Sequence, residues 1–164
     1  MDTTINPMAV VAKHQKIPPV NLNAISTELG IRVFMSFLGI NKQRKAIAGK
    51  IMRDSSARSG FSIWILTADP PNRQRFTHAH ELAHFILHRD LIQNGLEDDA
   101  MYRSGLPEPY EIEANKLAAD ILMPISLVKE WRIQESDVGG LAKIFQVSTE
   151  AMRIRLEALD RLRN

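Results

Sequence analysis

The spacing of apolar and polar residues divides the chain into short helices, a cluster of strands and then longer helices. Asn6 to Gln15 carries a helical pattern that Ile17-Pro18-Pro19 ends. Asn21 suits the cap of a second helix running to Leu29, and Gly30 suits its stop. Ile31 to Leu38 is rich in β-branched and aromatic residues and predicts a strand. Lys45 to Arg53 predicts a second strand, Ser55 to Gly60 a turn, and Phe61 to Leu66 the strongest strand of all. Their closeness around a turn predicts a small antiparallel sheet. The fold class expected is α+β, mostly helical, with that sheet and a helix-turn-helix-like C-terminal hairpin.

A long amphipathic segment follows, with Asp69 expected as its N-cap and Pro70 as its first residue. On a helical wheel, Phe76, Ala79, Leu82, Ala83, Ile86 and Leu87 share an apolar arc. Thr77, His80, Glu81, His84 and His88 share the opposite one, so the helix reads as half-buried, its polar arc facing away from the main core. Arg89 to Pro109, with its glycines, prolines and acidic run, reads as a long loop. Tyr110 to Met123 is the next helix, ended by Pro124, and Ser126 to Trp131 a short one. Asp137 to Phe145 and Thr149 to Leu162, joined at Gln146-Val147-Ser148, have the spacing of a helix-turn-helix. Residues 1–125 are expected as one domain and 126–164 as a helical C-terminal segment.

Composition narrows the class. The 164 residues are 45% apolar, enough for a globular core, and 21 basic against 19 acidic residues give a formal net charge of +2. So small an excess does not point to nucleic acid. From Thr149 onward four arginines face Glu150, Glu157 and Asp160, so packing of the hairpin on the rest of the chain is favoured over DNA binding. Direct nucleic-acid contact through these helices stays the lesser alternative. With no cysteine there is neither a disulfide nor a thiolate metal site. No apolar run is long enough for a membrane span or a signal peptide, so a cytoplasmic protein is expected.

The chemistry concentrates in Arg75 to His88, RFTHAHELAHFILH, where four of the five histidines lie in eleven residues. His80-Glu81-Leu82-Ala83-His84 is an H-E-x-x-H motif. Two imidazoles four residues apart on a helix share a face and can hold one zinc ion, with manganese as an alternative. Glu81 would act as general base. A solvated polar face is the bland reading of the same arc, and the histidine density argues against it. A catalytic zinc takes a third protein ligand. The helix YEIEANKLAADILM offers Glu111, Glu113 and Asp120. Glu113 and Asp120 share a face, one to bind metal and the other to orient an imidazole. Glu111 points nearly opposite, toward Ala118 and Leu122, and fits an acid at a helix N-terminus. His88 reads as a structural histidine or one that orients a ligand. Tyr102, Tyr110 and His78 are candidates to stabilise an oxyanion. The Phe61 to Leu66 strand is expected as the sheet edge that receives an extended peptide.

RFTHAHELAHFILH followed by EIEANKLAADILMP resembles the ImmA/IrrE family of zinc metallo-endopeptidases, over roughly Arg73 to Leu156. LAKIFQVSTEAMRIRL is similar to that family's C-terminal helices. The resemblance implies a zincin-like domain, His80 and His84 as ligands, Glu81 as base and Glu113, the glutamate of the E-A-N block, as third ligand. Asp120 is then left to orient an imidazole. Ala83 stands where relatives often have glycine, and His78 where they are often apolar. The resemblance also implies a helix-turn-helix repressor as substrate, with repression relieved by cleavage. The alternative is a toxin or regulator of a two-gene module that acts by binding its partner, with weak or no proteolysis.

Overall fold

The computed structural model describes residues 5–37, 48–93 and 107–161. Two short helices open the chain, α1 (Pro7–His14) and α2 (Leu22–Leu29). Asn6 and Asn21 cap them, each side-chain oxygen accepting from backbone amides of the first turn. Gly30, left-handed at φ 78°, ends α2 and lets the Ile31 amide reach back to the Ser26 carbonyl at 2.8 Å.

Three strands follow: β1 (Arg32–Ser36), β2 (Gly49–Arg53) and β3 (Phe61–Leu66). The turn between β2 and β3 is closed by the Asp54 amide on the Gly60 carbonyl at 2.8 Å, with Gly60 at φ 81°. That tight turn makes β2 and β3 antiparallel, as expected. β1, however, lies on the far side of β3 and runs parallel to it, in the order β1-β3-β2. The sheet is therefore mixed, and β3 is its centre, not its edge. Phe34 and Trp64, paired across β1 and β3, stack at 4.5 Å. Ile51, Ile63 and Ile65 face the core.

The organising element is α3 (Pro71–Gln93), 23 residues long. It starts one residue later than expected. Pro71 takes the first helical position, and the Pro70 carbonyl accepts from Arg73 and Gln74. Asp69 is not the cap; its carboxylate instead faces Arg73 Nε at 3.5 Å. The helix also continues past His88 and takes in Arg89 to Gln93, which the sequence pattern assigns to the following loop. Nor is it half-buried. Thr77 through Phe85 are all buried, while Leu87, placed on the apolar arc, is 47% exposed. The polar arc is covered by β2 on one side and by α4 (Glu108–Leu122) on the other.

α5 (Ile125–Gln134), α6 (Val138–Phe145) and α7 (Thr149–Arg161) complete the chain. Asp137 caps α6 and Gln146, at φ 53°, ends it. The hairpin packs onto the rest: Leu141, Phe145, Met152, Leu156 and Leu159 belong to the same core cluster as Ile25, Ile63 and Leu82. Arg155 donates to the Met123 carbonyl at 2.8 Å and pairs with Asp120 at 2.7 Å.

Candidate metal centre

Two helices build the site. On α3, His80 and His84 lie one turn apart and bring their Nε2 atoms to 3.0 Å. Neutral nitrogens held that close need a proton or a cation between them. Glu111 of α4 completes the group, its carboxylate 3.2 Å from His80 Nε2 and 3.3 Å from His84 Nε2. Glu111 Oε1 is buried and has no hydrogen-bond partner. An orphaned buried carboxylate oxygen facing two imidazole nitrogens is what a divalent cation would satisfy. Two nitrogens and one oxygen with no thiolate suit zinc, and three ligands leave a coordination position open.

The far sides of the rings set their tautomers. His80 Nδ1 lies 3.0 Å from the Asn115 amide oxygen, so it carries the proton and leaves Nε2 free to bind. His84 Nδ1 lies 3.0 Å from His88 Nδ1, and His88 Nε2 lies 3.2 Å from Glu113. With Glu113 accepting from His88 Nε2, His88 Nδ1 accepts in turn from His84, and His84 Nε2 is left as a lone pair. Burial by itself lowers the proton affinity of both ligand histidines. For His84 it prevails; for His80 the neighbouring Glu111 and Glu81 outweigh it and the pKa rises. Burial raises Glu111, but the facing imidazoles of His80 and His84 more than reverse that and hold it at about 2.

Glu81 faces β2. It is 2% exposed, and burial pushes its pKa up to about 7, against the opposing effects of His80 and an Ile51 backbone hydrogen bond. A carboxyl poised there can take and return a proton near neutral pH. Gly49 makes this approach possible. A Cβ there would lie 2.2 Å from Thr77 Cγ2 and 3.4 Å from Glu81 Oε1.

Three expected assignments change. Glu113 is not at the cluster; its side chain is 61% exposed and reaches His88. The reason is which face of α4 turns inward. Ala114 and Ala118 are fully buried, and these small residues let α4 close onto the polar arc of α3. Glu111 shares that face; Glu113 does not. Asp120 does not orient an imidazole but pairs with Arg155. Asn115, one turn from Glu111, holds His80 instead, and the i, i+4 spacing of Glu111 and Asn115 was the signal for it. His78 points away from the cluster, its Nε2 2.8 Å from Ser26 Oγ on α2. Two residues from His80 is about 200° round a helix, so both cannot serve one site. Tyr110 sets its ring edge on His88, with centroids 5.1 Å apart. Tyr102 lies outside the described residues.

Residues 27–157 match the family model described as the IrrE N-terminal-like domain, a peptidase family. The chain belongs to that family. No curated protein matches the sequence. Among solved structures, a Mycobacterium tuberculosis transcriptional regulator is similar in fold, with a TM-score of 0.57 and 16% identity. The likeness takes in 92% of this chain and 46% of that one, so this chain spans about half that regulator's length. Among the described residues, no helix is long and apolar enough to cross a membrane.

Proposed function

We propose that this chain is a zinc-dependent endopeptidase that cuts a peptide bond in a helix-turn-helix repressor and so relieves repression. The observation that carries the reading is the convergence of His80, His84 and the orphaned oxygen of Glu111 beside a fully buried Glu81. His80, His84 and Glu111 would hold the metal; manganese fits the same donors less selectively. When bound, the ion would supply Lewis acidity at the scissile carbonyl and make water easier to deprotonate. Glu81 takes the proton from the attacking water and returns it to the leaving amine. Asn115 and the His88–Glu113 pair keep both ligand rings in the binding tautomer. β2 lies at a sheet edge beside Glu81, so an extended segment added to that edge would bring a peptide bond to the site. An interdomain linker of a repressor can adopt that form, whereas a folded domain cannot. The repressor class is supported by the resemblance to ImmA/IrrE proteins; the regulator of similar fold is in keeping with a regulatory setting.

The test is to incubate the zinc-loaded protein with helix-turn-helix repressors from its own source organism and map products by mass. Cleavage in an extended linker is expected, and Glu81→Gln should keep its metal while losing on the order of 10²- to 10⁴-fold in rate. Full activity in Glu81→Gln, or cuts confined to stable helices, would overturn the proposal.

A further inference from the structure

A cavity of about 920 Å³ lies along the edge of β1 away from β3, between that strand, α2 and the first turns of α3. It is on the opposite face of α3 from the metal cluster, because its α3 walls include Arg75 and His78 rather than His80 and His84. Its lining is mixed: Ile31, Val33 and Met35, alternate positions that share one face along β1, supply an apolar stretch, beside Asn21, Thr27 and Gln74. Its polar end is Arg75, whose Nη2 donates to the Val20 carbonyl at 3.0 Å. Arg75 Nε is buried with no hydrogen-bond partner. Burial lowers the Arg75 pKa. His78, 5% exposed and bonded to Ser26, closes the floor beside it. A half-buried guanidinium with a buried, unspent Nε–H is satisfied by a planar or tetrahedral anion. The volume lies within the range of small-molecule sites, which combine apolar walls with a few polar groups.

We propose that this cavity is a binding site for a small amphipathic anion, a carboxylate or phosphate on an apolar chain, with the anionic head on Arg75 and the chain along β1. The site is independent of the peptidase chemistry.

The test titrates the zinc-loaded protein with octanoate, octyl phosphate, octanol and inorganic phosphate, read by calorimetry and by amide NMR shifts. Saturable binding of octanoate or octyl phosphate with a Kd below about 1 mM is expected for ligands of this size. Whichever binds tighter identifies the head group. Octanol and inorganic phosphate should each bind at least about tenfold more weakly, as each lacks one half of the recognition. Shifts should centre on Val33 to Met35 and Arg75. Arg75→Gln should weaken binding about tenfold or more, with zinc content unchanged. Met35→Trp, which adds bulk at a position already 52% exposed, should also weaken it while leaving the fold intact. The proposal is overturned if neither octyl anion saturates, if octanol or phosphate binds equally well, if Arg75→Gln and Met35→Trp both bind unchanged, or if the shifts centre on His80, His84 and Asn115.

Discussion

The carboxylate of Glu111 carries the sharpest expectation at the scale of single residues. It faces both imidazole nitrogens and has an oxygen with no other partner, whereas Glu113 acts through His88. Glu111→Gln should therefore abolish stoichiometric zinc. Glu113→Gln should weaken zinc about 10- to 100-fold, the usual cost of removing a group that orients a ligand. Asp120→Asn should leave it unchanged. Elemental analysis of the three purified variants decides between them, and a zinc-loaded Glu111→Gln would sink the assignment. A second expectation concerns His78. Its pKa is pushed down to about 4, by burial first and then by the Arg75 charge, from 6.5 when unfolded. The unfolded chain thus binds this proton more readily. The stability that neutral His78 contributes is fully present above pH 6.5 and is lost as pH falls toward 4. Between about pH 7.5 and 5 the loss is about 2 kcal/mol. Urea unfolding of the wild type and His78→Gln at both pH values should show the wild type losing that much more; equal losses would refute it.

At the scale of elements, the site depends on how closely β2 and α4 approach the polar arc of α3. Glycine at position 49 permits the first approach. In Gly49→Ala the new methyl must displace Thr77, so β2 moves off α3 and Glu81 loses its Ile51 hydrogen bond. A stability loss of about 1–3 kcal/mol is expected, as for other overpacked sites. Adding Thr77→Ser removes the clashing Cγ2 and should restore most of it. If the double variant is no more stable than Gly49→Ala in denaturant unfolding, the close approach is not the cause. The alanines of α4 permit the second approach, and here the sequence misled. The period of α4 is plain, but which arc turns toward the histidines depends on tertiary packing. Seeking the ligand away from Ala118 and Leu122 pointed to Glu113, when the small residues were themselves the contact surface. The mixed sheet was hidden for a related reason: a tight turn announces the β2–β3 pairing, but nothing local announces that β1 joins the far edge in parallel. By contrast, the cap at Asn21 and the stop at Gly30 are local chemistry, and both stand where the sequence puts them.

At the scale of the whole molecule, the C-terminal hairpin is tied to the helices that carry His80, His84 and Glu111. Two of its arginines are engaged within the protein: Arg155 by Asp120 and the Met123 carbonyl, Arg153 by Glu150 and Glu157. Asn72, in the first turn of α3, donates to the Val147 carbonyl at 3.1 Å, in the turn between α6 and α7. Phe145 is fully buried in the core that also holds Leu82 of the motif helix and Ile121 of α4. A shared core of this kind unfolds as a unit. Phe145→Ala should thus cost about 3–5 kcal/mol, the range for a large aromatic removed from a close-packed interior. The loss should appear in one transition, and zinc release should track the loss of helix across the same urea range. A first transition that melts α6 and α7 while zinc stays bound would mean that the hairpin is an independent unit. With a single transition, α6 and α7 act as part of the scaffold that holds Glu111 against His80 and His84.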